Sequence, residues 1–256
     1  MTRRVAAAAE WLGFAAIAVL ATEGSLGAQN AAGTARVQTP REAAPVDLTG
    51  NWVSVVSEDW RFRMVTPPKG DYGAVPLNAE GRKVADAWDA AKDVASGNAC
   101  RWFGAGGIMR VPTRLRISWQ DDTTLKIEAD AGQQVRLFRF GAPPAPAGEP
   151  TWQGQSSAAW ELVSGGEGGR ARWGTLRVIT RGMRPGYLRR NGVPYSENAV
   201  ITEYFDRHAL PGGREWFTVT TIVNDPRYLN QEFITSTDFK QEPDASKWNP
   251  TPCETT

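Results

Sequence analysis

Histidine is nearly absent from this 256-residue chain; His208 is the only one. That scarcity excludes a histidine-rich zinc site, a facial triad with two histidines and an HExxH helix. A Ser-His-Asp triad would have to use His208. It sits in Asp206-Arg207-His208-Ala209-Leu210-Pro211-Gly212-Gly213, which reads as an exposed hairpin turn. Gly-x-Ser-x-Gly is also missing, which excludes a nucleophile elbow. The glycines at 104–107 lack the Gly-Lys-Ser/Thr ending of a phosphate cradle. Neither sign of charge dominates: 29 Lys and Arg face 28 Asp and Glu, a net charge of +1. This balance argues against nucleic acid or an anionic membrane as the main partner. The acidic turns at Gln120-Asp121-Asp122 and Asn224-Asp225-Pro226 lack the ligand spacing of a calcium loop. No cofactor is implied.

Long apolar runs are missing too. Residues 11–21 are apolar but shorter than the roughly 20 residues that span a bilayer. Arg3 and Arg4 precede this run and Leu26-Gly27-Ala28 follows it, the pattern of a signal peptide over residues 1–28. An uncleaved N-terminal anchor is the alternative. The expected destination is the periplasm or the medium, with no integral membrane segment once the signal is removed. Residues 29–46 are rich in Ala, Thr, Pro and Gln and read as a disordered leader. Residues 47–256 are long enough for one domain with a sizeable core. Cysteine is limited to Cys100 and Cys253. In an exported chain an even pair is read as a disulfide, here tying the C-terminal tail to the loop after the first helix.

What is present is β-pattern. Residues 48–56 open the domain as a strand, and residues 61–65 read as its continuation. Residues 78–92 form the one predicted helix, capped by Asn78. Leu115, Ile117, Leu125 and Ile127 alternate on either side of an acidic turn, predicting a hairpin with these four inward. Further strands are expected over residues 134–140, 156–163, 171–181, 198–205, 215–223 and 232–239. Their spacing predicts a mainly β fold, an antiparallel, meandering, lipocalin-like (calycin-type) β-barrel of about eight to ten strands plugged by one short helix.

Two residue types carry candidate chemistry. Glu203 and Glu161 lie in predicted strands beside aromatic residues, where a raised pKa would make a general acid or base. Their alternative is to pair with Arg110 or Arg114 at the barrel mouth. Tryptophan is abundant, with 11 in the chain. Collectively these rings suggest a pocket for an apolar or aromatic molecule oriented by an Arg or Tyr tip. The candidate ligand-binding residues are Trp60, Arg63, Arg110, Arg114, Trp119 and Tyr195. Taken singly, each tryptophan reads first as core or edge cover.

Several motifs run in order along the chain: Asp47-Leu48-Thr49-Gly50-Asn51-Trp52, Leu77-Asn78-Ala79-Glu80-Gly81, Pro150-Thr151-Trp152-Gln153-Gly154-Gln155-Ser156, Gly192-Val193-Pro194-Tyr195-Ser196-Glu197, Glu203-Tyr204-Phe205 and Asn224-Asp225-Pro226. In these the chain resembles a widespread set of exported bacterial β-rich proteins of undetermined function. It departs from them at Trp160-Glu161-Leu162-Val163, where such proteins often read Trp-Glu-Gly-Asp. The resemblance implies an exported β-barrel and carries no activity. The leading expectation is therefore a barrel that binds a small, partly apolar or aromatic molecule. The alternative is a cofactor-independent lyase, isomerase or cyclase, with Glu203 or Glu161 as acid/base and an arginine stabilising the anion. An envelope interaction protein is a third.

Overall fold

Alternation of inward and outward side chains builds nine strands that close on themselves. They are β1 (Gly50–Val55), β2 (Arg114–Asp121), β3 (Thr124–Ala129), β4 (Gln134–Phe140), β5 (Gln155–Val163), β6 (Trp173–Arg181), β9 (Val200–Leu210), β10 (Arg214–Asn224) and β11 (Phe233–Glu242). A short hairpin, β7 (Gly186–Arg189) and β8 (Val193–Tyr195), is inserted between β6 and β9. The structure is a computed structural model describing residues 36–141, 149–163 and 173–253. The expected signal peptide (residues 1–28) and the Gly-rich insert at residues 164–169 lie outside the described residues.

Around the barrel the order is β1-β11-β10-β9-β6-β5-β4-β3-β2, and β2 pairs with β1 to close it. The expected barrel is therefore present, with one change of direction: β4 and β5 are parallel, with Phe138 opposite Ser156 and Phe140 opposite Ala158. A parallel neighbour needs a connection that returns along the sheet, and residues 141–154 give the chain that length. The β2–β3 hairpin forms as expected, with Leu115, Ile117, Leu125 and Ile127 buried.

Aromatic rings fill much of the interior. Trp52 meets Phe217 edge-on at 4.7 Å, Phe217 stacks on Phe239 at 4.9 Å, and Phe138 meets Phe205 at 5.5 Å. The buried Trp52 indole donates to the Leu48 carbonyl at 3.0 Å, so its polar atom is satisfied inside an apolar core.

Three local expectations change. The helix over residues 78–92 is two helices, α2 (Ala79–Asp86) and α3 (Ala90–Ala95). Asn78 caps the first through the Gly81 N–H at 2.9 Å. Asp89 caps the second, accepting from Ala91 and Lys92, so an Asp inside the pattern restarts the helix instead of continuing it. The strand expected over residues 61–65 is replaced by a one-turn helix, α1 (Trp60–Met64). Asp59 before it adopts φ 49°, a left-handed conformation that ends the extended run. Residues 38–46, read as disordered, instead lie on the barrel. The Trp160 indole donates to the Pro40 carbonyl at 2.8 Å, the Arg41 N–H donates to the Asp122 carbonyl at 3.2 Å, and Val46 packs on the core.

His208 is exposed as expected, but it lies within β9 opposite Trp216, and the reversal falls later, at Gly212 and Gly213. Cys100 and Cys253 are disulfide-bonded. No helix among the described residues is long and apolar enough to cross a membrane.

Candidate functional site

β1 ends at Val55, opposite Asp238 of β11, so β11 extends past it toward Phe233. At this end the chain places α1, a 3-10 turn at Ile108–Arg110 and the β7–β8 hairpin. The result is a cluster of buried guanidiniums. Arg63 on α1 is wholly buried; its Nε donates to the Arg110 carbonyl at 3.0 Å and its Nη2 to Ser54 Oγ at 2.8 Å, and Nη1 pairs with Glu58. Arg110 is 3% exposed, and its Nη2 donates to Asp59 at 2.9 Å. Arg189 of β7 is 0% exposed and donates through Nη1 to the Gly73 carbonyl at 2.6 Å. Its guanidinium carbon lies over the Phe62 ring at 3.8 Å from the centroid. Arg189 and Arg110 share the Phe233 ring, at 5.9 and 6.0 Å.

Burial disfavours a charged guanidinium, and a second arginine nearby adds repulsion. Burial, then Arg110, brings Arg189 down to about 10, against the opposing pull of Asp59 and Asp71. Arg63 is lowered by burial, with Glu58 opposing. Arg110 Nε and Nη1, and Arg189 Nε and Nη2, have no hydrogen-bond partner among the described residues. A buried donor left unmade costs about 1–3 kcal/mol, more when charged.

A second polar layer lies inside the barrel. Arg136 of β4 grips Glu203 of β9 with Nη1 to Oε1 at 2.9 Å and Nη2 to Oε2 at 2.5 Å. Thr180 accepts from the same Nη2 at 3.3 Å and exchanges a hydrogen bond with Ser156 at 2.9 Å. Both charged residues are buried.

The candidate residues are therefore dispersed. Trp60, Arg63 and Arg110 converge at α1, with Trp60 60% exposed on the outer side of that helix. Arg114 pairs with Glu242 at 3.1 Å on the β2–β1–β11 wall. Trp119 stands at the Gly50 end of the barrel, away from α1, where it packs on Phe140 at 5.5 Å. Tyr195 is buried against Gly104, Gly106 and Gly186, where any Cβ would collide with its ring or hydroxyl. Gly104 and Gly106 thus make room for a tyrosine, and burial holds its phenol above the ordinary range.

Glu203 does not meet Arg110 or Arg114. Its partner is Arg136, which faces it across the interior from a strand that is not its neighbour. Glu161 lies on the outer face, 45% exposed at its side chain, paired with Arg177 at 2.8 Å. Both oxygens of Glu203 are thus held by Arg136, and Glu161 is turned outward. The tryptophans do not assemble into one pocket either. Trp52 is core, Trp152 lies under Arg184 at 4.1 Å, Trp248 under Arg116 at 4.0 Å, and Trp173 is exposed.

Arg189, Phe62, Phe233 and Arg136 were missed by the sequence reading. All four residues of β7 are buried, so Arg189 has no alternation to mark it. In β4 the pattern Val135-Arg136-Leu137-Phe138 suggests the aliphatics face inward, whereas Arg136 and Phe138 are the buried pair and Val135 is exposed. Comparison with models of known protein families gives no match, and comparison with curated proteins gives none.

Proposed function

We propose that this is an exported binding protein for a small, partly apolar or aromatic molecule, taken at the α1 end of the barrel. The observation that carries this reading is the convergence of Arg63, Arg110 and Arg189 beneath a one-turn helix bearing an exposed Trp60. Three buried arginines in a small domain are expensive, and cationic groups are retained in apolar surroundings chiefly where they meet a partner. Phe62 and Phe233 supply flat apolar walls beside them. The left-handed Asp59 at the root of α1 is a strained residue of the kind that clusters at ligand clamps. The disulfide and the signal-like N-terminus agree with a site of action outside the cytoplasm.

Native mass spectrometry of the protein recovered from the periplasm tests this. The expected spectrum has a mass above that of the mature chain, released on denaturation and missing from a Trp60→Ala/Arg110→Leu variant. The mature chain alone in both samples would contradict the reading.

A further inference from the structure

Arg189 offers one complete edge of its guanidinium. Nη1 is engaged by the Gly73 carbonyl, whereas Nε and Nη2, which share the opposite edge, have no partner among the described residues. That edge is the one that receives a carboxylate side-on through two parallel N–H···O bonds. Arg110 borders the same Phe233 ring, at 6.0 Å from the centroid against 5.9 Å for Arg189, with Nε and Nη1 also without a partner among the described residues. Its Nη2 is occupied by the carboxylate of Asp59, a side chain of the protein's own at the edge of the site. The Arg189 guanidinium carbon lies over the Phe62 ring at 3.8 Å from the centroid, and the Nε–Nη2 edge is the part left without a partner.

From this geometry we infer that the α1 cap covers an oxyanion site. A small aromatic carboxylate is bound there, its two oxygens on Nε and Nη2 of Arg189, with Arg110 as a second donor and the Phe62 and Phe233 rings beside its flat body. The inference rests on the binding reading above and names its ligand class. Carboxylate is chosen because the group already at Arg110 is one, and an aromatic body because the flanking side chains are rings. These nitrogens are shielded from solvent, so the ligand enters when α1 lifts. The helix is one turn long and exposes Trp60, Met64 and Val65 on it or next to it, so what it must release to lift is chiefly Arg63, held by Ser54, Glu58 and the Arg110 carbonyl.

Calorimetric titration of the mature protein with benzoate, benzamide and inorganic phosphate tests the proposal. Benzoate binds and its neutral analogue benzamide does not. Arg189→Lys keeps the charge but loses the planar fork, and weakens benzoate about tenfold or more. Asp59→Asn removes the negative charge that competes for Arg110 while tolerating the left-handed backbone, and tightens benzoate severalfold. That gain cannot arise from misfolding. Equal binding of benzamide and benzoate, unchanged in Arg189→Lys, would overturn the oxyanion site while leaving a ligand site at α1. Phosphate binding without benzoate binding would overturn the carboxylate assignment. No heat from benzoate in either the wild type or Asp59→Asn would overturn the site itself.

Discussion

Glu203 is the residue whose role changes most between pattern and structure. A carboxylate in a strand beside aromatics invites an acid/base role, and its burial is as expected. What the pattern does not contain is Arg136, which reaches it only because the barrel closes and brings β4 across from β9. A buried, doubly hydrogen-bonded pair of this kind is a fixed structural element, and its members are interdependent. Glu203→Gln leaves a buried cation without its counter-charge and is expected to cost about 3–5 kcal/mol in urea unfolding. Replacing both partners, as Arg136→Met/Glu203→Leu, is expected to cost clearly less. A double variant as unstable as the sum of its singles would show that the pair is not acting as a unit.

At the scale of elements, the long periodic segments were legible and the short ones were not. The β2–β3 hairpin declares itself by alternation and an acidic turn, and Asn78 marks a helix start through its side-chain oxygen. α1 has no such signal: Arg61-Phe62-Arg63-Met64-Val65 alternates like a strand, and the turn that makes it helical lies in the backbone of Asp59. Yet this is the element that carries the candidate site, since Trp60, Phe62 and Arg63 all belong to it. Arg189 is hidden for a related reason, lying in a strand buried on both faces. The C-terminal tail is the other element whose place was legible in part, through its cysteine. Beyond the disulfide, the tail is held by the Thr251 N–H on the Asp130 carbonyl at 3.0 Å and by Trp248 under Arg116. A cross-link 153 residues apart in sequence restricts the unfolded chain, by roughly 5 kcal/mol in the chain-entropy model and usually less in practice. Cys100→Ser/Cys253→Ser is expected to lower the melting temperature. It should also raise hydrogen exchange in residues 248–253, while β9 and β10 stay protected. Uniform loss of protection through the barrel would contradict a local role for the tail.

Across the whole molecule, the chain divides its aromatic and cationic resources between two ends. At the Gly50 end, Trp119, Phe140 and Trp160 pack in sequence as tilted pairs at 5.5 and 5.3 Å, and the chain's own Pro40 meets the last of them. The tryptophan surplus that suggested a pocket in the barrel mouth is thus largely spent on packing and covering. At the Phe233 end, guanidiniums gather with donors still to be met. This second end is where the proposed ligand is received. Side-chain proton–nitrogen correlation spectra, recorded during a benzoate titration, read arginine Nε–H and tryptophan indole N–H groups together. Nε–H signals of Arg110 and Arg189 are expected to shift, identified through their Arg→Lys variants, while the Trp160 indole and the Arg136 Nε–H hold still. Shifts at Trp160 with none at Arg110 or Arg189, or no shift anywhere, would contradict this placement.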